Sequence, residues 1–118
     1  MSAAPDVSVV VPTFNRAHVL GASLASLLAE TGVDLELIVV DDGSTDGTAA
    51  LLGAHPDPRV RAIRGPHAGI AAARNLGLAA ARAPFVAFHD SDDLALPGRL
   101  AASGRIRDGL GCTPELRR

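Results

Sequence analysis

Three short apolar runs constrain this chain more than any other feature: "VSVVV" (7–11), "LELIVV" (35–40) and "FVAF" (85–88). The first two are rich in β-branched residues and nearly continuous in apolar character. Strands covered on both faces read this way, because neither side needs to meet water. Pro12 is expected to stop the first run. Between the first two runs, Val19, Leu20, Leu24, Leu27 and Leu28 recur at helical spacing, so residues 17–30 form a helix with one buried stripe and Gly32 at its end. A shorter helix follows near residues 48–52, capped by Thr45 or Asp46. "RVRAI" (59–63) alternates and reads as a strand with one wet face, and residues 68–82 form an Ala-rich helix.

The order is β-α-β-α-β-α-β, the pattern of an α/β domain with a mostly parallel, Rossmann-like sheet flanked by helices. At 118 residues, the chain has room for one such domain. Residues 104–118, "GRIRDGLGCTPELRR", lose the pattern and are expected to form an irregular tail.

Composition excludes several classes. With aromatics at 3%, the core must be built from Val, Leu, Ile and Ala. A net charge of −2 gives no footprint for nucleic acid. Every basic side chain is Arg, so chemistry that needs a lysine is excluded, both Schiff base and P-loop. Cys112 is the single cysteine and has no internal disulfide partner, which suits a reducing cytoplasm. The N-terminus lacks the basic and apolar regions of a signal peptide. No run approaches the roughly 20 apolar residues of a membrane span, which leaves open a membrane-bound parent or partner.

In open α/β sheets, ligands bind beyond the carboxyl ends of the strands. The polar motifs of this chain fall there: "PTFNR" after the first strand, "DDGSTD" after the second, "HDSDD" after the fourth. Asp90 and Asp92, with Asp93 beside them, offer carboxylate oxygens suited to Mg²⁺ or Mn²⁺. The same residues also make a solvated turn with a helix cap. Their place at the end of a buried strand, opposite a second acidic loop, favours the cation. Of Asp41 and Asp42, neighbours that point to opposite sides, one faces the ligand or both serve an Asx-turn. Phe14 stacks on a nucleobase, with Thr13 on its edge, or it belongs to the core. Arg74 pairs with a phosphate or an aspartate, or lies on a wet helix face. His67 and His89 have no metal-ligating companions at suitable spacing and read as structural.

Taken together, "VSVVVPTFNR", "LELIVVDDGSTDGT", "GIAAARNLGLAAA" and "FVAFHDSDDLALPGRL" resemble family 2 glycosyltransferases of the GT-A fold, in the family's order, over about residues 7–100. The resemblance implies a site for a nucleotide-diphosphate sugar, UDP-linked, in residues 1–103. It places Pro12, Thr13, Phe14 and Asn15 around the nucleobase and Asp42 on the base N–H. Asp41, Gly43 and Ser44 belong to the second loop, which Asp41 supports. Arg74 braces the diphosphate or the acidic turn. The family's Asp-x-Asp motif becomes Asp90, a ribose partner or outer ligand, and Asp92, the direct ligand of Mn²⁺ or Mg²⁺, with Asp93 as an additional candidate.

The implied reaction is inverting transfer of a sugar to a hydroxyl of a glycan, lipid or protein acceptor, in cell-envelope polysaccharide biosynthesis. The implied location is the cytoplasm or the inner face of the membrane. In the family the general base lies in the second half of the domain, so none is expected before residue 118, and the fold is expected to break off after the fourth strand. The alternative is a non-catalytic nucleotide-sugar-binding module or an inactive fragment. A receiver domain pairs its acids with a lysine, a haloacid-dehalogenase phosphatase carries its acids after the first strand, and a dinucleotide-binding domain has G-x-G-x-x-G there. This chain has none of these.

Overall fold

The computed structural model describes residues 5–30, 32–94 and 116–117. Strand β1 (Val7–Thr13) leads to helix α1 (Ala17–Leu28), β2 (Leu35–Asp41) to α2 (Thr48–Gly53), and β3 (Val60–Arg64) to α3 (Ile70–Ala80). Strand β4 (Phe85–Phe88) follows, and Leu116–Arg117 form a two-residue β5. The sheet order is β3-β2-β1-β4-β5. Strands β1 to β4 are parallel, and β5 runs antiparallel to β4. The tail expected to be irregular thus contributes a short strand. Residues 104–115 and 118 lie outside the described residues.

The chain steps outward from β1 to β2 and β3, then crosses back to place β4 on the other side of β1. This reversal makes a topological switch point between β1 and β4, where open α/β sheets leave a crevice at the strand ends.

Every residue of β1 and β2 is buried. Alternation divides them between two cores. Val7, Val9, Val11, Leu35, Leu37 and Val39 pack with Leu20, Leu24 and Leu27 of α1 and Leu52 of α2. Val10, Ile38 and Val40 point the other way, into a core with Ala73 and Val86. On that side α3 comes so close that a Cβ on Gly77 would overlap the Val10 side chain.

Pro12 does not stop β1, which continues through Thr13. The Val10 carbonyl accepts from His89 N–H at 3.0 Å, and the Thr13 carbonyl accepts from Asp42 N–H at 2.9 Å. Val10 therefore faces β4 and Thr13 faces β2, and alternation turns the Pro12 nitrogen toward β4. The β4 ladder has already ended there, at Phe88 opposite Val10. A missing N–H breaks no ladder bond on that side.

Helix α3 is shorter than expected because residues 68 and 69 are engaged elsewhere. Their N–H groups bond the Asp42 carboxylate, and Gly69 has φ 101°. At the far end, Ala81 is extended and Arg82 N–H bonds Glu36. Glu36 is 2% exposed, at the sheet edge opposite the polar loops. It accepts from Ser8 Oγ at 2.6 Å and from Arg61 Nη1 at 2.9 Å, and Arg82 Nε adds a bond at 3.0 Å. Burial alone would raise its carboxyl pKa. Hydrogen bonds from Ser8, Arg82 and Arg61 outweigh that and hold it below the ordinary value.

Candidate functional site

Four loops rise from the carboxyl ends of the parallel strands. Their walls enclose a cleft of about 390 Å³ lined by Pro12, Thr13, Phe14 and Arg16 on the β1 side, by Asp42, Ile70 and Ala73, and by Asp90, Ser91 and Asp92 after β4. It opens at the switch point between β1 and β4. Of the residues expected to bind substrate or metal, Pro12, Thr13, Phe14, Asp42, Asp90 and Asp92 line it together.

Asp42 leaves the end of β2 with both carboxylate oxygens in use. Oδ1 accepts from Ala68 N–H at 3.1 Å and Oδ2 from Gly69 N–H at 3.0 Å. An ionised carboxylate has about four acceptor positions, so it retains capacity for a ligand donor. Thr13 is 4% exposed, and its Oγ1 is a buried side-chain atom without a hydrogen-bond partner among the described residues. An orphaned hydroxyl costs about 1–3 kcal/mol. Phe14 is partly open to solvent and stacks on His67, with ring centres 4.5 Å apart.

The loop after β4 adds further acids to the cleft. Asp90, Asp92 and Asp93 are all exposed, and each offers a carboxylate oxygen within 4.8 Å of the others. His89, buried beneath the turn, holds it down. Its Nε2 lies 3.1 Å from Ser23 Oγ and 3.0 Å from the Asp93 carbonyl, while Ser23 Oγ donates to the Asp90 carbonyl at 3.4 Å. The three carboxylates are hard oxygen donors of the kind that bind Mg²⁺ or Mn²⁺, and their spacing lets more than one reach the same ion.

Asn15, Asp41, Gly43 and Ser44 stand behind the cleft rather than in its lining. Asn15 Oδ1 accepts from Thr45 N–H at 2.8 Å and from Asp46 N–H at 3.3 Å, while Asn15 N–H donates to Ser44 Oγ at 2.8 Å. Asp41 accepts from Ser44 N–H at 2.9 Å and from Arg64 Nη1 at 3.1 Å. Asp46 Oδ2 accepts from Ala17 N–H at 3.1 Å, and its Oδ1 accepts from Thr48 N–H at 2.9 Å. The Thr48 hydroxyl is the main cause holding the Asp46 carboxyl below its ordinary pKa.

Arg74 departs from the expectation of a buried or acidic partner. It is exposed on α3, with its guanidinium carbon 5.6 Å from the centre of the Phe88 ring, and no ion pair joins it to an acid among the described residues. The helix leaves it exposed, while Phe88 offers it an aromatic face. Sequence reasoning missed Arg16, Ile70, Ala73 and Ser91 as cleft residues. Arg16 and Ser91 sit inside motifs already singled out and were within reach. Ile70 and Ala73 look like ordinary apolar helix positions, and no local signal marks them.

The family model for glycosyl transferase family 2 matches residues 8–102 of this chain. The chain belongs to glycosyl transferase family 2. Similar proteins include the succinoglycan biosynthesis protein ExoO of Rhizobium meliloti (strain 1021), 48% identical over 112 residues, covering 91% of this chain and 31% of that protein. The Escherichia coli UDP-Glc:alpha-D-GlcNAc-diphosphoundecaprenol beta-1,3-glucosyltransferase WfgD is 38% identical over 95 residues, covering 80% of this chain and 38% of that protein.

Among solved structures, the mannosyltransferase PcManGT of Pyrobaculum calidifontis, in complex with GDP-Man and Mn²⁺, superposes with a TM-score of 0.79 at 31% identity. The match covers 92% of this chain and 34% of that one. S. aureus TarS 1-349 in complex with UDP-GlcNAc gives a TM-score of 0.79 at 30% identity, covering 86% of this chain and 31% of that one. The parallel sheet with flanking helices is thus the GT-A arrangement. This family 2 chain spans about a third of the length of each of these four proteins.

Proposed function

We propose that this chain forms the donor-binding part of a glycosyltransferase. It holds a nucleotide-diphosphate sugar, UDP-linked, together with a divalent cation, for inverting transfer to an acceptor hydroxyl. One observation carries the reading: a single cleft is lined by an aromatic ring, Phe14, by an acceptor carboxylate, Asp42, and by a carboxylate pair, Asp90 and Asp92. A nucleoside diphosphate asks for the same set: a flat base with N–H groups, and phosphates that a carboxylate-held cation neutralises.

Phe14 offers its ring to the base, and the spare lone pairs of Asp42 accept a base N–H. Asp92 and Asp90, with Asp93 adjacent, hold Mn²⁺ or Mg²⁺; such ions are commonly bound by one or two carboxylates plus substrate phosphates. When bound, the cation supplies neutralisation of the departing diphosphate. Arg16, in the cleft lining, offers a positive contact to the same phosphates.

Inverting transfer needs a base to take the proton of the acceptor hydroxyl. The acids lining the cleft among the described residues are Asp42, Asp90 and Asp92, and each is assigned to donor binding. This supports a second reading, a donor-binding module without turnover of its own. An acceptor in cell-envelope polysaccharide synthesis draws support from ExoO, a succinoglycan biosynthesis protein, and from WfgD, a glucosyltransferase of a GlcNAc-diphosphoundecaprenol; the inner face of the membrane is our proposal for where it is met.

Isothermal titration with UDP and GDP, with and without Mn²⁺, beside an assay for sugar release, tests the proposal. UDP should bind, more tightly with Mn²⁺. Tighter binding of GDP would reassign the base. Absence of binding to any nucleotide would overturn both readings, and binding without sugar release would favour the module.

A further inference from the structure

His67 belongs to none of the motifs that define the cleft, yet three loops meet at its ring. One face stacks on Phe14, with centres 4.5 Å apart and planes 29° from parallel. Nδ1 lies 2.9 Å from the Asp42 carbonyl oxygen. A carbonyl oxygen only accepts, so Nδ1 carries a proton and donates. The backbone at His67 is left-handed, with φ 61°, a conformation that His and Asn tolerate better than most residues. Gly43, with φ 86°, makes room for it: a Cβ there would lie 2.9 Å from the His67 Cβ. Phe14 and Asp42 line the cleft, whereas His67 is not part of its lining. The imidazole therefore backs both residues from outside.

We propose that His67 is a positioning residue for nucleobase recognition: its Nδ1 bond to the Asp42 carbonyl orients the imidazole, and the stacked imidazole holds the Phe14 ring where a base meets Phe14 and Asp42 together. This rests on the nucleotide-sugar reading of the cleft and extends it to a side chain that touches no ligand. A base on the open face of Phe14 would complete a three-layer stack of base, Phe14 and His67. Without the imidazole, Phe14 is free to rotate, and ligand binding must then order it.

The test is titration of UMP and UDP, with Mn²⁺, into the full chain and its variants. His67→Asn keeps a residue suited to positive φ and removes the ring. It should weaken UMP and UDP by the same factor, roughly 3- to 10-fold, the scale of an aromatic pair. The Mn²⁺ concentration for half-maximal UDP binding should not move. In a Phe14→Leu background, His67→Asn should have almost no further effect. His67→Phe restores the stack and should bind UDP within about twofold of the wild type, given the same aromatic scale.

Unchanged affinity in His67→Asn, an equal loss in the Phe14→Leu background, or a loss confined to UDP would overturn the inference while leaving the donor-site reading intact. If the wild type binds no nucleotide, both fall. Circular dichroism monitors folding. If His67→Asn melts, His67→Phe carries the test: near-wild-type binding supports the role, and loss beyond tenfold overturns it.

Discussion

The side-chain oxygen of Asn15 accepts a 2.8 Å hydrogen bond from the main-chain N–H of Thr45, tying the loop after β1 to the loop after β2. Asn15 adopts φ 51°, so its backbone and side chain are both set by this junction. Asn15→Ala should cost about 1–2 kcal/mol in urea unfolding, because it removes the acceptor for two amides and strains a left-handed position. Asn15→Asp keeps an acceptor and tolerates that backbone, so it should retain most of the stability. Full stability in Asn15→Ala together with lost nucleotide binding would make Asn15 a ligand contact instead.

Asp92→Asn should abolish the Mn²⁺ dependence of UDP binding. Asp92 is exposed, so the unfolding free energy should stay within about 0.5 kcal/mol of the wild type. Asp42→Ala should weaken uridine recognition with or without metal. Titration of both variants, with and without Mn²⁺, separates the two roles. An unchanged Mn²⁺ response in Asp92→Asn would remove Asp92 from the cation site.

Glu36 makes stability depend on acid. Its carboxyl pKa is held below the ordinary 4.5 in the folded chain. A lowered folded value means that the stabilisation is full above the unfolded value and is lost as pH falls through the folded one. Stability should therefore decline below about pH 4.5, with Glu36 as one contributor. Glu36→Gln should cost about 2 kcal/mol at pH 7 and flatten that decline. Urea titrations at pH 7 and pH 3.5 measure both effects. An equally steep decline in Glu36→Gln would assign the acid response to other carboxylates.

Gly77→Ala should destabilise the chain by about 1–3 kcal/mol, since the new methyl meets Val10. Adding Val10→Ala should recover part of the loss. Thermal melts of the single and double variants check this. Strict additivity would show that α3 does not approach β1 as closely as described.

The parallel sheet was legible because its strands advertise themselves: "VSVVV" and "LELIVV" have no wet side, and the helices between them carry a clear period. The strand-end rule also brings "PTFN", "DDG" and "DSDD" to one rim from the sequence alone. What stayed hidden depends on distant partners. Pro12 looked like a terminator because its harmlessness depends on where β4 stops, at Phe88. The bonds by which Asn15 and Ser44 tie two loops together were hidden, because a polar loop residue that bonds another loop has the same local sequence as one that bonds a ligand. Glu36 drew no notice within an apolar run, as its partners Ser8, Arg61 and Arg82 are remote in sequence. His67 appeared unattached for the same reason.

Asp46 completes the start of two helices at once, through Ala17 N–H and Thr48 N–H. For a chain emerging from the ribosome, the opening amide of the first helix meets this carboxylate only after a residue 29 positions later has been made and docked. The cap of the first β-α unit is thus supplied by the second.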